Sequence, residues 1–543
     1  MPERAASSRL RWALLGLAAI VLVAHALAYN FVTDDAYISF VFSRNLAEHG
    51  QLVFNLGQHV EGYTNFLWTF VLGLGMLAGI GPEWSSRVLG TACALATLYV
   101  VTRIMDRVLG RRSPWAAMPA LLLASSSGFA CWTSGGLETQ LYTLLVSAAL
   151  DALIAAAMAP RALRRLGVLL ALASMTRPEG PMIAAVFGAV WLGGKLIARL
   201  RPAPGALAWR SRDEALAVAW FVGLWLPWFA WRWWYYGWPF PNTYYVKATG
   251  PWASPEMPHQ MIDNGLYYVW IWLVQTRLLY ALPLAIVGLV AARPRTPRSL
   301  LAITCAVFAA VYLAYTITVG GDFMGLHRFI MPMFVVAALA VSLGTEWIAG
   351  KLRHPAAPVL AVAVVGAFAV TQLALTRAST RWGNFASDRG IDTPAYLMVY
   401  TQDRAAIGRA MASCFADDDF SIVGGAGAQP YLGRMRGVDV FGLVSETIAH
   451  DEPRVRPRAG HTKFGTDRVL AAYDPTFVFS CYAIHDRPAQ PALPCAGFWL
   501  ARGYEPVTML VPFLQEHGWY YTFLAKAARH FECPGRVRGW ERR

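Results

Sequence analysis

The sequence predicts a mostly α-helical protein that crosses a membrane many times and carries a small α/β domain at its C-terminus. Three observations predict it. Only 15% of the residues are charged, against roughly 25% in soluble globular proteins, while 56% are hydrophobic. Apolar runs of the length that crosses a bilayer, about 17–25 residues, recur through the first two-thirds of the chain. These runs stop near residue 378, and the remaining C-terminal stretch has ordinary mixed composition and enough length for one domain with its own core. The expected division is a membrane module over 1–377, with its first outer loop at about 30–84, and an extracytoplasmic soluble domain over 378–543.

Spans are expected at 11–29, 85–104, 114–131, 138–158, 164–176, 179–197, 214–234, 276–292, 299–319, 328–349 and 356–376, about eleven in all. The first has the basic start and apolar run of a signal peptide, and Ala24-His25-Ala26 imitates a cleavage site. Its length and the many spans after it favour an uncleaved helix. Residues 63–81 are also apolar. If they do not cross, every second loop is basic: Arg103, Arg107, Arg111 and Arg112; Arg161, Arg164 and Arg165; Lys195, Arg199, Arg201, Arg210 and Arg212; Arg293, Arg295 and Arg298; Lys351 and Arg353. Basic loops stay cytoplasmic, so 63–81 reads as a helix lying in the outer interface, where Tyr63, Phe66, Trp68 and Phe70 suit it. An odd number of spans then puts the C-terminal domain outside. The net charge of +14 belongs to this loop pattern and to contact with anionic lipid headgroups. No basic helix or stacking platform points to nucleic acid.

The alternate loops carry Asp34, Asp35, Glu48, Glu61, Glu138, Glu179, Glu256, Asp263 and Asp322. Carboxylates gathered where bilayer meets water are either solvated loop residues or a site. In the outer domain, 420–423, 438–441 and 476–480 read as strands, and Gly424 to Gly427 as a turn between strand and helix that could also cradle a phosphate. Cys414, Cys481, Cys495 and Cys533 fall in this domain, where an oxidising compartment permits disulfides, most simply Cys481 with Cys495. No metal-ligand spacing and no internal repeat is present.

Four clusters carry the candidate chemistry. Asp34 and Asp35 come directly after the first span, and two adjacent carboxylates there repel each other and lose hydration. Neighbours on a helix point about 100° apart, so one can take a proton from a hydroxyl while the other caps the helix. From position alone, either acid could equally do no more than cap the helix Ala36 to Glu48. Arg177 beside Pro178 and Glu179 offers a guanidinium fork for phosphate or an ion pair with Glu179. Gly320-Gly321-Asp322-Phe323-Met324 with His327 and Arg328 forms a polar link between spans, and Asn242 to Lys247, with Tyr245, comes after a very aromatic span end. Lys247 is a lone cation among acidic loops, and so a candidate for a lipid phosphate.

These motifs resemble a known family. The run Asp34-Asp35-Ala36-Tyr37 through Arg44-Asn45-Leu46, then Val53-Phe54-Asn55, Val60-Glu61 and Thr64, is similar to the first outer loop of the membrane arabinofuranosyltransferases. These are GT-C class glycosyltransferases of mycobacterial cell-wall synthesis, among them the terminal enzymes that use decaprenylphosphoryl arabinose. Further matches come in the same order: Ser134-Gly135-Gly136-Leu137-Glu138, Arg177-Pro178-Glu179, Tyr235-Tyr236-Gly237, Lys247, Gly320-Gly321-Asp322-Phe323-Met324, Gly442-Leu443-Val444 and Gly460-His461 with Lys463.

The resemblance implies a GT-C fold in a bacterial inner membrane, with a periplasmic active site and a polyprenyl-phosphate sugar donor. A first-loop aspartate would be the catalytic centre, and the acceptor a hydroxyl of a cell-envelope glycan. The expected catalytic residues are Asp34, as the base that activates the acceptor, and Asp35 next in line. Lys247, Arg177 and Arg328 would hold the donor phosphate. Asp322, Glu61, Asn65, Glu138, Glu179, Tyr245, His327 and His461 would meet sugar or acceptor. No cofactor is expected, with a divalent cation left open. Ala36 stands where the family commonly has glycine, and the outer domain is shorter, so donor sugar and acceptor stay open. Two other readings are a flippase for lipid-linked glycan, which would call for repeats and charges deep in the spans, and a glycan-binding membrane protein without catalysis, which would not need the paired acids.

Overall fold

A computed structural model describes residues 2–110, 113–200, 211–292, 296–352, 356–381 and 387–537. Of the basic-loop residues, Arg111, Arg112, Arg201, Arg210, Arg293, Arg295 and Arg353 lie outside them.

The membrane part consists of α1 (Pro2–Leu27), α2 (Asp34–His49), α3 (Phe66–Leu77), α4 (Pro82–Leu109), α5 (Met118–Ser125), α6 (Ser127–Ser134), α7 (Thr139–Ala156), α8 (Ala162–Thr176) and α9 (Gly180–Leu200). It continues with α10 (Ser211–Tyr236), α11 (Asn242–Ala248), α12 (Met257–Gln275), α13 (Leu278–Val290), α14 (Pro297–Thr318), α15 (Met331–Ala349) and α16 (Ala356–Ser379). Among the described residues eight helices are long and apolar enough to cross a membrane, and two bent pairs raise the number to ten. One pair, Pro114–Ser125 with Ser127–Ser134, bends by 66°, and the other, α12 with α13, by 88°.

The expected count of eleven is one above ten. The segment expected to span at 164–176 is α8, whose 15 residues, about 22 Å at 1.5 Å per residue, are shorter than those ten, although it runs alongside α7 from Arg165, paired with Asp151, to Arg177, paired with Glu138. The segment expected to span at 276–292 is the second arm of an elbow, preceded by α12 where the sequence suggested a loop. The apolar run at 63–81 forms α3, only 12 residues and about 18 Å long, too short to cross a hydrocarbon layer of about 30 Å.

Beyond α16, α17 (Pro394–Met411) and α18 (Ala428–Gly433) pack with β1 (Ser421–Val423), β2 (Gly437–Asp439), β3 (Phe477–His485), β4 (Tyr504–Val511) and β5 (Trp519–Lys526). The strands form one sheet in the order β2-β1-β3-β5-β4. The first three strands are parallel, and β5 is antiparallel to both β3 and β4. The alternation of a strand places successive residues on opposite faces. Phe477 and Phe479 join one core with Met411, Tyr521 and Phe523, while Val478 joins the other with Ile422, Trp499 and Leu524. Cys481 is bonded to Cys495 and Cys414 to Cys533.

The first loop holds this domain against the membrane module. Asn55 pairs with the backbone of Gly437 in both directions, donating at 2.9 Å and accepting at 3.0 Å. Asn242 donates to the carbonyls of Gly442 and Leu443. Phe42, Phe54 and Tyr63 share a buried cluster with Ala426 and Val444 across the junction.

Candidate active site

Six segments, at helix ends or in the links between helices, converge beneath the outer domain, around a cavity of about 290 Å³. Its walls include Asp35 from the start of α2, Asn65 before α3, Glu138 before α7, Arg177 and Glu179 between α8 and α9, Lys247 in the last turn of α11, and Asp322 and Arg328 between α14 and α15. All eight were expected from sequence. The turns that aim them are local. The start of α2 is fixed by the Thr33 amide donating to the Gly135 carbonyl at 3.1 Å. The methyl of Ala36 faces Gly136, where a Cβ would come within 2.8 Å of it. Gly320 and Gly321 take φ of +80° and +77° and pass so close to Met261 and Tyr268 that any side chain would collide. That tight passage delivers Asp322 to the wall.

Most charges in the cavity are already paired. The Arg177 guanidinium donates to Glu138 at 2.8 Å and to Glu179 at 3.1 Å, all three being buried. Glu138 also accepts from Asn65 at 3.0 Å. Arg328 donates to Asp322 at 3.2 Å. Asp35 and Lys247 have no hydrogen bond or ion pair among the described residues, and both line the cavity. Burial pushes the Asp35 carboxyl up to about 6. Arg328 pulls it down, Asp34 pushes it up and Lys247 pulls it down. Lys247 keeps open surface, but that surface faces the cavity. Removal from bulk water lowers its pKa, and Asp35 is foremost among the groups raising it. The site thus presents one free acid with a raised pKa and one free cation, inside a frame of satisfied charges.

Five expected residues take other places. The Asp34 carboxylate accepts from the Ala428 amide at 2.8 Å, at the N-terminus of α18, and lies against Gly425 and Gly427. The Gly-rich turn that looked able to cradle a phosphate therefore holds an internal carboxylate, and burial raises the pKa of that carboxylate. Asp34 and Asp35 diverge as neighbours on a helix must. Glu61 is buried and paired with Arg232 at 2.6 Å. Tyr245 turns away to stack near Trp238 and His450, while Tyr244 lines the cavity. His327 meets the Gln275 side chain at 2.8 Å. His461 packs behind the wall on Phe323 and Phe441, where burial, with Arg458 and Lys247 adding to it, brings its pKa down to about 3 and keeps it neutral.

Thr243, Tyr244, Tyr315 and Phe323 also line the cavity. The aromatic belt at the span ends masked the first two, and Tyr315 gave no sequence signal. Among the described residues no group of three or more His, Cys, Asp or Glu is placed to hold a metal ion.

No family model and no curated protein matches the chain by sequence. Solved structures do match in shape. ArnT from Cupriavidus metallidurans bound to undecaprenyl phosphate aligns with 94% of this chain and 97% of its own, at a TM-score of 0.55 and 15% identity. The oligosaccharyltransferase from Archaeoglobus fulgidus in complex with Zn and sulfate aligns with 97% of this chain and 75% of its own, at a TM-score of 0.56 and 10% identity. The same archaeal enzyme, AglB, in complex with an inhibitory peptide and a dolichol-phosphate, aligns at a TM-score of 0.50 and 9% identity, over 98% of this chain and 76% of that one. The chain has the GT-C fold. At these identities the likeness is one of fold.

Proposed function

We propose that the protein is a membrane glycosyltransferase. It would take a sugar, a pentofuranose such as arabinofuranose, from a polyprenyl-phosphate donor and pass it to a hydroxyl of a cell-envelope glycan or glycoconjugate. The observation that carries this reading is the unpaired couple of Asp35 and Lys247, facing one cavity at the junction of membrane module and outer domain. The fold agrees with it, since ArnT and AglB share the architecture and were solved with undecaprenyl phosphate and dolichol-phosphate.

The role of base passes from Asp34, held against α18, to Asp35. Ionised Asp35 takes the proton of the acceptor hydroxyl as that oxygen attacks the anomeric carbon. The bond from that carbon to the phosphate oxygen breaks, and its electron pair leaves with the polyprenyl phosphate. Lys247, with Arg328 beside it, stabilises the charge that grows on the departing phosphate. Arg177 is a positioning residue, since its guanidinium is spent on Glu138 and Glu179. Those two acids, with Asp322 and Asn65, supply acceptors and a donor for sugar hydroxyls. The cavity lies at the outer face of a bacterial inner membrane in this reading, with the basic loops inside.

The experiment is a transfer assay with purified protein, a panel of polyprenyl-phosphate sugars beginning with decaprenylphosphoryl arabinose, and a lysate glycan as acceptor. Sugar transfer that disappears in Asp35→Asn while donor binding persists is the expected result. Absence of transfer from every donor, or undiminished transfer by Asp35→Asn, overturns the reading.

A further inference from the structure

A second cavity, of about 460 Å³, lies in the membrane module and shares no lining residue with the first. Four elements enclose it: α5, the α12–α13 elbow, α15 and α16. Its wall is almost wholly apolar, with Leu123, Leu284, Phe334 and Phe368 prominent. Six residues around it carry a polar side-chain atom: Ser126, Trp272, Thr276, Arg277, Tyr280 and Thr371, of which the Thr276 and Thr371 hydroxyls donate to the Trp272 and Phe368 carbonyls. The Ser126 hydroxyl and the Trp272 indole nitrogen have no hydrogen-bond partner among the described residues, but both atoms are closed off from anything the size of water and lie behind the wall. Arg277, at the elbow itself, lines the cavity with an exposed side chain and has no ion pair, hydrogen bond or ring contact among the described residues. Other polar groups just behind the wall are satisfied by contrast. Gln372 accepts from the Ser127 amide and donates to the Gln275 carbonyl, and Gln275 meets His327.

At 1.5 Å per residue the 13 residues of α13 are about 20 Å long, less than the ~30 Å of hydrocarbon, so in a bilayer that α13 enters from the basic loop after Val290 the elbow would lie within the apolar layer. A buried donor left unpaired costs about 1–3 kcal/mol, and an arginine at membrane depth finds an anion or a wet path. Arg277 also holds φ +56°, a conformation that a non-glycine residue adopts at a cost. Hydrocarbon would fill the apolar wall, and an anionic head with several acceptor oxygens would meet the Arg277 guanidinium at its edge.

We propose that this cavity is a binding site for an acidic phospholipid, one acyl chain entering between α13, α15 and α16 and the headgroup phosphate resting on Arg277. The volume falls within the ~300–1,000 Å³ of small-molecule pockets, room for one chain while the second stays in the bilayer. A phospholipid fits better than the sugar carrier because the unpaired cation of the reaction cavity, Lys247, lies in the other cavity. The site stands whether or not the protein transfers sugar.

The test is native mass spectrometry of the full chain, released from detergent after incubation with dioleoylphosphatidylglycerol, dioleoylphosphatidylcholine or undecaprenyl phosphate. Arg277→Asn keeps a residue that tolerates positive φ and removes the charge, Arg277→Lys restores a cation, and Ala338→Phe fills the cavity from α15. Wild type should retain one phosphatidylglycerol and no phosphatidylcholine. Arg277→Asn and Ala338→Phe should hold phosphatidylglycerol at least about tenfold more weakly, the loss expected for one charge-assisted contact, and Arg277→Lys should recover part of it. Undecaprenyl phosphate should bind all four proteins alike. Equal retention of the two phospholipids by wild type overturns the proposal without any variant. So does unchanged phosphatidylglycerol binding in Arg277→Asn, or loss of undecaprenyl phosphate in Arg277→Asn and Ala338→Phe, which would make this a carrier site.

Discussion

Helix α7 joins two charge clusters that share ingredients and differ in completeness. Near its C-terminal end Asp151 accepts from Arg107 at 2.7 Å, Arg165 at 3.1 Å and Arg103 at 3.3 Å. One acid is surrounded by three cations, on the face where the basic loops gather. Arg164 with Asp213 and Arg298 with Glu346 complete ion pairs in those basic segments. Just before the N-terminus of α7, Glu138 belongs to a frame in which Arg177 and Arg328 are consumed by neighbouring acids, while Asp35 and Lys247 are not. A carboxylate with a full set of cations is a structural charge. Desolvated groups without partners cost stability, and they persist where a ligand supplies what is missing.

The largest effect that would sharpen this contrast is on chemistry. Asp35→Asn keeps the shape and removes the basicity, so turnover should fall by about 10²–10⁴, with donor affinity unchanged. Its melting temperature should hold or rise. The pKa of Asp35 is higher folded, at about 6, than its ordinary 3.8, so the native state binds the extra proton and the ionised side chain opposes folding above that range. Near wild-type turnover in Asp35→Asn would break the comparison at its centre. Lys247→Ala should weaken binding of a polyprenyl-phosphate sugar by roughly 10–150-fold, the worth of a contact to a charged group, and titration of donor into the two proteins reads it.

A pH profile comes next. Because Asp35 must be ionised to accept a proton, kcat/KM should be flat above its pKa of about 6 and drop about tenfold per pH unit below it. Asp35→Asn should abolish that limb. The controls should move turnover least. Asp34→Ala removes the acceptor for the Ala428 amide and should destabilise the protein by about 1–3 kcal/mol, seen in thermal melts, with turnover per folded molecule retained. Asp151→Asn leaves three arginines facing one another and should lower the melting temperature by a few degrees without changing donor affinity. A loss of turnover in Asp151→Asn as large as that of Asp35→Asn would remove the distinction between the two ends of α7.

The sequence alone determined what depends on composition and local pattern. Long apolar runs must be helices in lipid, because only a helix satisfies its own backbone there. The basic loops marked 63–81 as a segment that does not cross, and it forms a helix of only 12 residues. Strands β1, β2 and β3 were legible as short apolar runs between turns. The β4–β5 pair was not read, since Pro506 weakens the strand pattern of one, although the aromatic run Trp519-Tyr520-Tyr521 of the other was a usable signal. The residues around the cavity could be named from motifs because the links between spans are short and polar.

Only the tertiary structure decided which members of adjacent pairs face inward. Asp34 against Asp35 and Tyr244 against Tyr245 are choices of helix phase, and a rotation of about 100° separates a carboxylate latched to α18 from one that lines the cavity. It also decided which charges are free. Arg177 looks available in sequence, yet Glu138, 39 residues away, and Glu179 share it. Pairing at such distances arises from the packing of α7, α8 and α9, which no local pattern encodes. The elbow at Arg277 has the same origin. Its 88° turn within an apolar stretch is set by how α12 packs on α14 and α13 on α15, so the cavity it opens became visible only in three dimensions.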